Sequence, residues 1–352
     1  MSQADAVRQG FRHQAAVCAT AGAPFTGRLC GLIAERMTAA GIGDRVLNWP
    51  GNPEHDVDAL PLRLMGGLHD LARSGRRERL SALYAALGEG FGDDAAWSVL
   101  DGALAEEAEW LSPWLDGPPQ TNEVARSAGL MGGLLILSRT YGLPFALYEL
   151  GASAGLNTVL DRYAFDLGGV AAGDASSPLT IAPEWRGAPP PSAEVRVVRR
   201  GAVDRAPMDP ADPLTRRRLS AYVWADQAAR LERLDKALTI AAAQDTRVET
   251  GDAADWLERQ LDPAPEPGVC RVVVHTIAYQ YFSPDSQARV RGRIEAAGAR
   301  ALPDAPVAWL RLEAEGGAFQ RRPVLRLTAW PGLEDRVLAV VHPHGEWFDW
   351  RG

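Results

Sequence analysis

The chain has 352 residues, 46% of them apolar, and a formal net charge of −8 at pH 7. That length holds one large domain, or a core domain with a helical partner, and the apolar share supplies a sizeable core. The acidic balance and the absence of a lysine- or arginine-rich tail argue against general nucleic-acid binding, which needs a basic footprint. Arg199, Arg200, Arg205 and Arg216 to Arg218 read as solvated surface charges. Cys18, Cys30 and Cys270 are too few and too scattered for a disulfide framework or a cysteine zinc site, and read as reduced thiols. No basic start followed by an apolar stretch marks a signal peptide. The longest apolar run, near Leu130 to Leu137, falls short of the ~20 residues that span a bilayer. The expectation is a soluble, cytoplasmic protein with no membrane partner.

Residues 1–140 predict helix almost throughout. Phe25, Leu29, Leu32, Ile33 and Met37 recur at helical spacing, as do Leu80, Leu83, Tyr84 and Leu87, and Trp97, Leu100, Leu104 and Leu111. Proline and glycine punctuation separates these segments. No strand is expected before Phe145, so the chain divides into a helical subdomain or lid over 1–140 and an α/β domain over 141–352. Thr121 or Asn122 can cap a helix through Val124, Leu130, Leu134 and Leu137, and Gly142 ahead of Pro144 stops it.

A strand from Phe145 and a helix over 154–163 follow, then a glycine-, serine- and proline-rich insertion near 164–193 with room for a short hairpin. Further strands are expected at 194–198, 246–250, 269–275, 307–313, 324–330 and 337–342, with helices at about 212–243, 252–261 and 285–298. Alternating strand and helix implies right-handed crossovers and a mostly parallel sheet. The last strands lack helical spacers and should pair antiparallel at one edge.

The rest is organised around the stretch from Phe145 to Asn157. An apolar run ends at Glu149, passes the small residues Gly151, Ala152, Ser153, Ala154 and Gly155, and continues through Leu156 to Asn157. A strand-to-helix turn of this kind presents backbone N–H groups at a helix N-terminus and favours an anionic or polar ligand. Three chemistries compete for it. A dinucleotide fingerprint needs glycine where Ser153 and Leu156 stand. A nucleophile elbow, G-x-S-x-G, is literally present, with Ser153 to attack and His275, His342 or His344 following it. Such an elbow normally comes after several strands, and here only helices precede it.

The third reading resembles the class I S-adenosylmethionine-dependent methyltransferases, whose first motif is an apolar strand ending in an acid and then G-x-G-x-G; serine replaces the middle glycine here. The chain as a whole also resembles an uncharacterised bacterial family known only as a domain of unknown function. That likeness rests on Thr121 to Val124, Glu149 to Asn157, Tyr222 to Gln227 with Arg230, and His342 to Gly345.

Together these likenesses imply a Rossmann-like, methyltransferase-type sheet of seven strands. They imply that Gly151, Ser153 and Gly155 shape the cofactor's methionine end and that Asn157 belongs to the cofactor site, with Glu149 near the ammonium or merely capping the next helix. The acid that should close the second strand on the ribose is missing after 198, unless the loop brings Asp204 back. Asp252 would accept from the adenine amino group, with Trp256 packed nearby, or would simply cap a helix.

His275 is placed to act as a general base, with Tyr279 beside it, or is a core or strand-end histidine with no catalytic role. Asn122, Glu123 and Arg126 could close over the site. Tyr222, Trp224, Asp226, Gln227 and Arg230 form a polar-aromatic cluster that is either a substrate wall or, for Asp226 and Arg230, an i,i+4 ion pair. His342 and His344 read as a strand-end turn with no metal. The expected function is an S-adenosylmethionine-dependent methyltransferase acting on a small molecule or a protein side chain. A non-catalytic ligand- or partner-binding relative and a serine hydrolase using Ser153 stand as alternatives.

Overall fold

The helical spacing of the first third folds as helices. In the computed structural model, which describes residues 2–54 and 57–352, they are α1 (Gln3–Thr20), α2 (Pro24–Arg36), α3 (Ile42–Leu47), α4 (Leu60–Arg73), α5 (Glu78–Ala85), α6 (Asp93–Glu106) and α7 (Ala108–Leu115). Ser2 and Asp5 form a capping box at the start of α1, each side chain satisfying the other's backbone N–H. Phe11, Leu29, Ile33, Leu64, Leu68, Leu80 and Leu100 are fully buried in one core, each contributing ~1.5–3 kcal/mol by leaving water.

Two compact units result: Met1–Thr121 with Pro213–Glu232, and Asn122–Asp212 with Arg233–Gly352. The helical unit therefore takes back a later segment of chain, and the sheet unit begins some twenty residues earlier than a cut at 140 would place it. The helix expected over 212–243 is two, α9 (Pro213–Tyr222) and α10 (Ala228–Ala242).

At the break, Asp226 turns away from the i,i+4 pair with Arg230. Its carboxylate accepts from the N–H groups of Phe25 (2.7 Å) and Thr26 (3.1 Å) and from the Thr26 hydroxyl (2.6 Å). Pro24 opens α2 and Ala23 before it offers no capping side chain, so Asp226 caps α2 from 201 residues away. Asp226→Ala should lower unfolding free energy by ~1–3 kcal/mol, read from urea denaturation; a loss below a few tenths would exclude this capping role.

The second unit opens with a 3₁₀ turn at Val124–Arg126, then α8 (Ser127–Tyr141), which stops at Gly142 in the left-handed conformation. Strand β1 (Phe145–Leu150) is buried along its whole length. The insertion holds β2 (Ala164–Asp166) and β3 (Ala171–Gly173) as an antiparallel hairpin, β4 (Thr180–Ile181) parallel to β2, and β5 (Glu184–Arg186). Then come β6 (Val197–Asp204), β7 (Val248–Thr250), α11 (Ala253–Leu261), β8 (Cys270–Thr276), α12 (Pro284–Ala299), β9 (Val307–Glu315), β10 (Arg322–Trp330), β11 (Leu333–Val341) and β12 (Trp347–Trp350).

Among the described residues the main sheet has nine strands in the order β7-β6-β1-β8-β9-β10-β11-β12-β5, against the seven expected, with the small β3-β2-β4 sheet apart from it. It is parallel from β7 through β9 and antiparallel from β9 through β12, as strands without helical spacers require. The outermost strand, β5, returns the parallel sense against β12.

Two expectations change. Strand β6 lies later than 194–198 and runs through Arg199 and Arg200 to Asp204, with Leu150 paired to Val203. The helix expected over 154–163 is a run of turns ending in a 3₁₀ turn at Leu160–Arg162. Gly155 sits at φ +71°, which no right-handed helix passes through, and the polar side chains after it bond locally instead. Among the described residues no helix is long and apolar enough to cross a membrane.

Candidate functional site

From β1 the chain passes first to β6 on one side and later to β8 on the other. Where strand order reverses in this way, open α/β sheets bind ligands beyond the carboxyl ends. Those ends here are Glu149 to Ser153 after β1, Asp204 after β6, and Thr276 to Tyr279 after β8.

The turn after β1 is left-handed at three alternate positions, φ +66° at Gly151, +53° at Ser153 and +71° at Gly155. Gly151 is also pressed on the turn after β8, where a Cβ would come within 2.6 Å of the Ala278 Cβ. Most of the turn's N–H groups bond within the protein. Gly151 and Ala152 donate to the Val203 carbonyl, Gly155 to Ala152 and Thr158 to Gly155. Ser153 donates to the Asp204 carboxylate at 2.8 Å and Leu156 to the Asn122 side-chain oxygen at 3.1 Å. No α-helix follows the turn, so the helix N-terminus on which the anion-binding expectation rested is absent there.

Asp204 supplies the acid that was missing from the second strand's end, because β6 extends six residues past 198. Its other oxygen accepts from the Ala206 N–H at 2.8 Å, so the carboxylate ties the two loops together. Asn122 likewise caps Leu156 and not its own helix; Glu123 takes the cap, accepting from the Ala125 N–H at 3.2 Å.

Glu149 is 2% exposed. The Thr158 hydroxyl donates to its carboxylate, yet burial prevails and raises its pKa to about 7, with Thr158 and Asn157 opposing and the Asp204 charge adding to the rise. The Asn157 amide N–H faces the Thr276 hydroxyl at 3.5 Å. Its carbonyl oxygen is buried with no hydrogen-bond partner, an uncommon state for a polar atom.

His275 is fully buried. Its Nε2 accepts from the Trp309 indole N–H at 2.9 Å, which leaves Nδ1–H to donate to Glu313 at 2.7 Å. Both nitrogens are engaged within the protein, and the ring positions its neighbours. Tyr279 stacks on it at 5.1 Å between ring centroids and donates its hydroxyl to the Gln287 carbonyl.

The same oxygen of Glu313 also accepts from the N–H groups of Ala278 (3.0 Å) and Tyr279 (3.1 Å). Immediately before them stands Ile277 at φ +50°, a strained conformation for a β-branched residue. Glu313, Thr158, Thr276 and Ile277 escape a reading by motif. The available signal for Glu313 was an acid interrupting an apolar strand, as Glu149 does.

Asp252 caps α11 by accepting from the Ala254 and Asp255 N–H groups, and Arg205 and Ser286 meet its other face. Burial works to raise its pKa, and these bonds outweigh it. Trp256 is 1% exposed and packs edge-on against Tyr148 inside the core. Arg126 donates to the Pro343 carbonyl at 2.9 Å and lies 3.5 Å from that of Thr276.

Tyr222, Trp224, Asp226 and Arg230 belong to the first unit. There Tyr222 and Trp224 line a pocket with Thr26, Met65, His69 and Tyr84. Burial lowers the His69 pKa to about 4, and the neutral ring donates to the Ala221 carbonyl. Arg230 donates to the Gln227 side chain.

These features define a mixed α/β protein whose candidate site follows the carboxyl ends of a mostly parallel sheet. Over residues 8–350 the chain matches the family described as "Uncharacterized protein conserved in bacteria (DUF2332)", and it belongs to that family. No curated protein and no solved structure matches it.

Proposed function

We propose that the second unit is a Rossmann-like, methyltransferase-type domain that binds S-adenosylmethionine or a close analogue and passes its methyl group to a small molecule or a protein side chain. One observation carries this reading: at the switch point of the sheet stand two acceptors suited to a cation, the buried Glu149 carboxyl and the unpartnered Asn157 oxygen. Asp204 adds negative charge beside them, and most of the turn's N–H groups are already bonded within the protein. A ligand with ammonium and sulfonium charges fits such an edge better than a phosphate does. Methyl transfer asks mainly for in-line positioning, so it is compatible with the engaged state of His275. The hydrolase alternative loses that histidine as its base.

Calorimetry with S-adenosylmethionine and S-adenosylhomocysteine tests the proposal. Saturable binding near pH 7 should release protons as the cation draws Glu149 into its ionised form, so the heat should vary with the buffer's own ionisation enthalpy. Glu149→Gln should remove that dependence and weaken binding by roughly 10- to 150-fold, the equivalent of ~1.5–3 kcal/mol. No binding at millimolar ligand overturns the reading. Gly151 is a poor test position, since any side chain there strikes Ala278.

A further inference from the structure

Outside the crevice, metal-ligating groups converge at the turn between β11 and β12. His342, His344 and Glu346 each offer one ligand atom, and the three atoms lie within 4.8 Å of one another. A first-row divalent ion bound at ~2.0–2.2 Å sets tetrahedral ligand atoms roughly 3.3–3.6 Å apart, so modest side-chain rotation closes the set. His342 Nδ1 and Glu346 Oε2 are already 3.7 Å apart.

The backbone beneath them is fixed from several sides. Gly345 donates to the His342 carbonyl at 2.8 Å, His342 to the Trp347 carbonyl at 3.0 Å, and Glu184 to the Glu346 carbonyl at 2.9 Å. Arg126 holds the Pro343 carbonyl at 2.9 Å. Gly345, at φ +67°, lies so close to Ala125 that a Cβ would meet its backbone at 2.7 Å. The His344 N–H donates to His342 Nδ1 at 3.3 Å, and the two rings lie 5.6 Å apart between centroids.

We infer that His342, His344 and Glu346 bind a divalent transition-metal ion of the zinc class. Two imidazoles and one carboxylate suit such an ion, whereas magnesium and calcium take oxygen donors. Three protein ligands leave at least one coordination position for water or a bound molecule, as in catalytic zinc sites. Strand β11 lies two antiparallel steps from β9. It therefore runs with the parallel strands, and its carboxyl end shares their ligand-binding edge. Arg126 spans the interval, contacting Pro343 in this turn and approaching Thr276 after β8. Arg126 and Arg186, whose guanidinium lies 4.6 Å from the Trp347 ring, stand nearby. The inference is independent of the proposed cofactor.

The test is titration of tag-free, chelator-stripped full-length protein with Zn²⁺ against a chromophoric chelator, repeated with Co²⁺ to read visible absorption. One ion per chain is expected, with affinity reduced roughly tenfold or more by His344→Ala or Glu346→Gln and the Co²⁺ bands lost in the His342→Ala/His344→Ala variant. Stoichiometric binding that survives in that double variant overturns the inference, as does wild-type affinity no greater than the variant's. Circular dichroism checks the fold. Should the histidine variants fail to fold, Glu346→Gln, at an exposed side chain, decides the matter alone.

Discussion

Replacing Glu313 with alanine should lower the unfolding free energy by ~3–5 kcal/mol, the range for removing one partner from a buried polar cluster. One carboxylate oxygen serves three donors: the His275 ring and the N–H groups of Ala278 and Tyr279. Each donor stranded away from water costs ~1–3 kcal/mol, and the 12% exposure of the Glu313 side chain lets water recover part of that. The loss does not stop at hydrogen bonds. The two N–H groups hold the turn in which Ile277 sits at φ +50°, a conformation whose cost of ~1–3 kcal/mol persists only where neighbours enforce it.

In the variant this turn should relax, and Ala278 would move off Gly151, loosening both sides of the switch point. Glu313→Gln keeps a carbonyl acceptor and should lose much less stability. Urea denaturation of the two variants distinguishes a shared acceptor from a surface acid. Equal, sub-kilocalorie losses in both would dismiss Glu313 as the anchor.

The contrast between His275 and Glu313 shows where sequence reading reaches its end. The strand carrying His275 was legible because Val272, Val273 and Val274 form an apolar run. The helices of the first unit were legible by their 3.6-residue period, and the end of α8 by Gly142 before Pro144. These signals are local. What His275 does depends on Glu313, 38 positions later, and what Asp226 does depends on α2, some 200 positions earlier; no period in the sequence encodes either pairing.

The second strand was misplaced for a related reason. Arg199, Arg200 and Gly201 read as a loop because charged residues and glycine are poor strand formers. In the sheet, Arg200 pairs with Asp161 and Gly201 makes room for the Trp256 ring, which a Cβ would meet at 3.0 Å. Tertiary partners outweighed propensity there. The lost helix after β1 is the converse: local spacing was helical, and Gly155, Asn157 and Thr158 had other bonds to make.

The pH dependence of stability should change most at Glu149. Its pKa rises from 4.5 to about 7 on folding, chiefly through burial. A group raised in the folded state contributes stability that is whole below its unfolded pKa and is lost as pH climbs through the folded value. At about 1.36 kcal/mol per unit, that loss is on the order of 3 kcal/mol between pH 4.5 and 8. Glutamine keeps an acceptor for the Thr158 hydroxyl and cannot ionise, so Glu149→Gln should gain on the wild type by that amount as pH rises.

His69 titrates in the opposite sense, its pKa lowered to about 4. Its contribution is present above about 6.5 and lost as pH falls through 4. Both proteins carry that term, so it cancels in their difference. Denaturation curves for the pair at half-unit steps from pH 4.5 to 8.5 give the difference directly. Parallel curves would mean that Glu149 ionises at an ordinary pH, which would remove the observation on which the proposed cation site rests. Curves that converge toward pH 4.5 and separate as pH rises toward 7 would place the titration at the buried carboxyl.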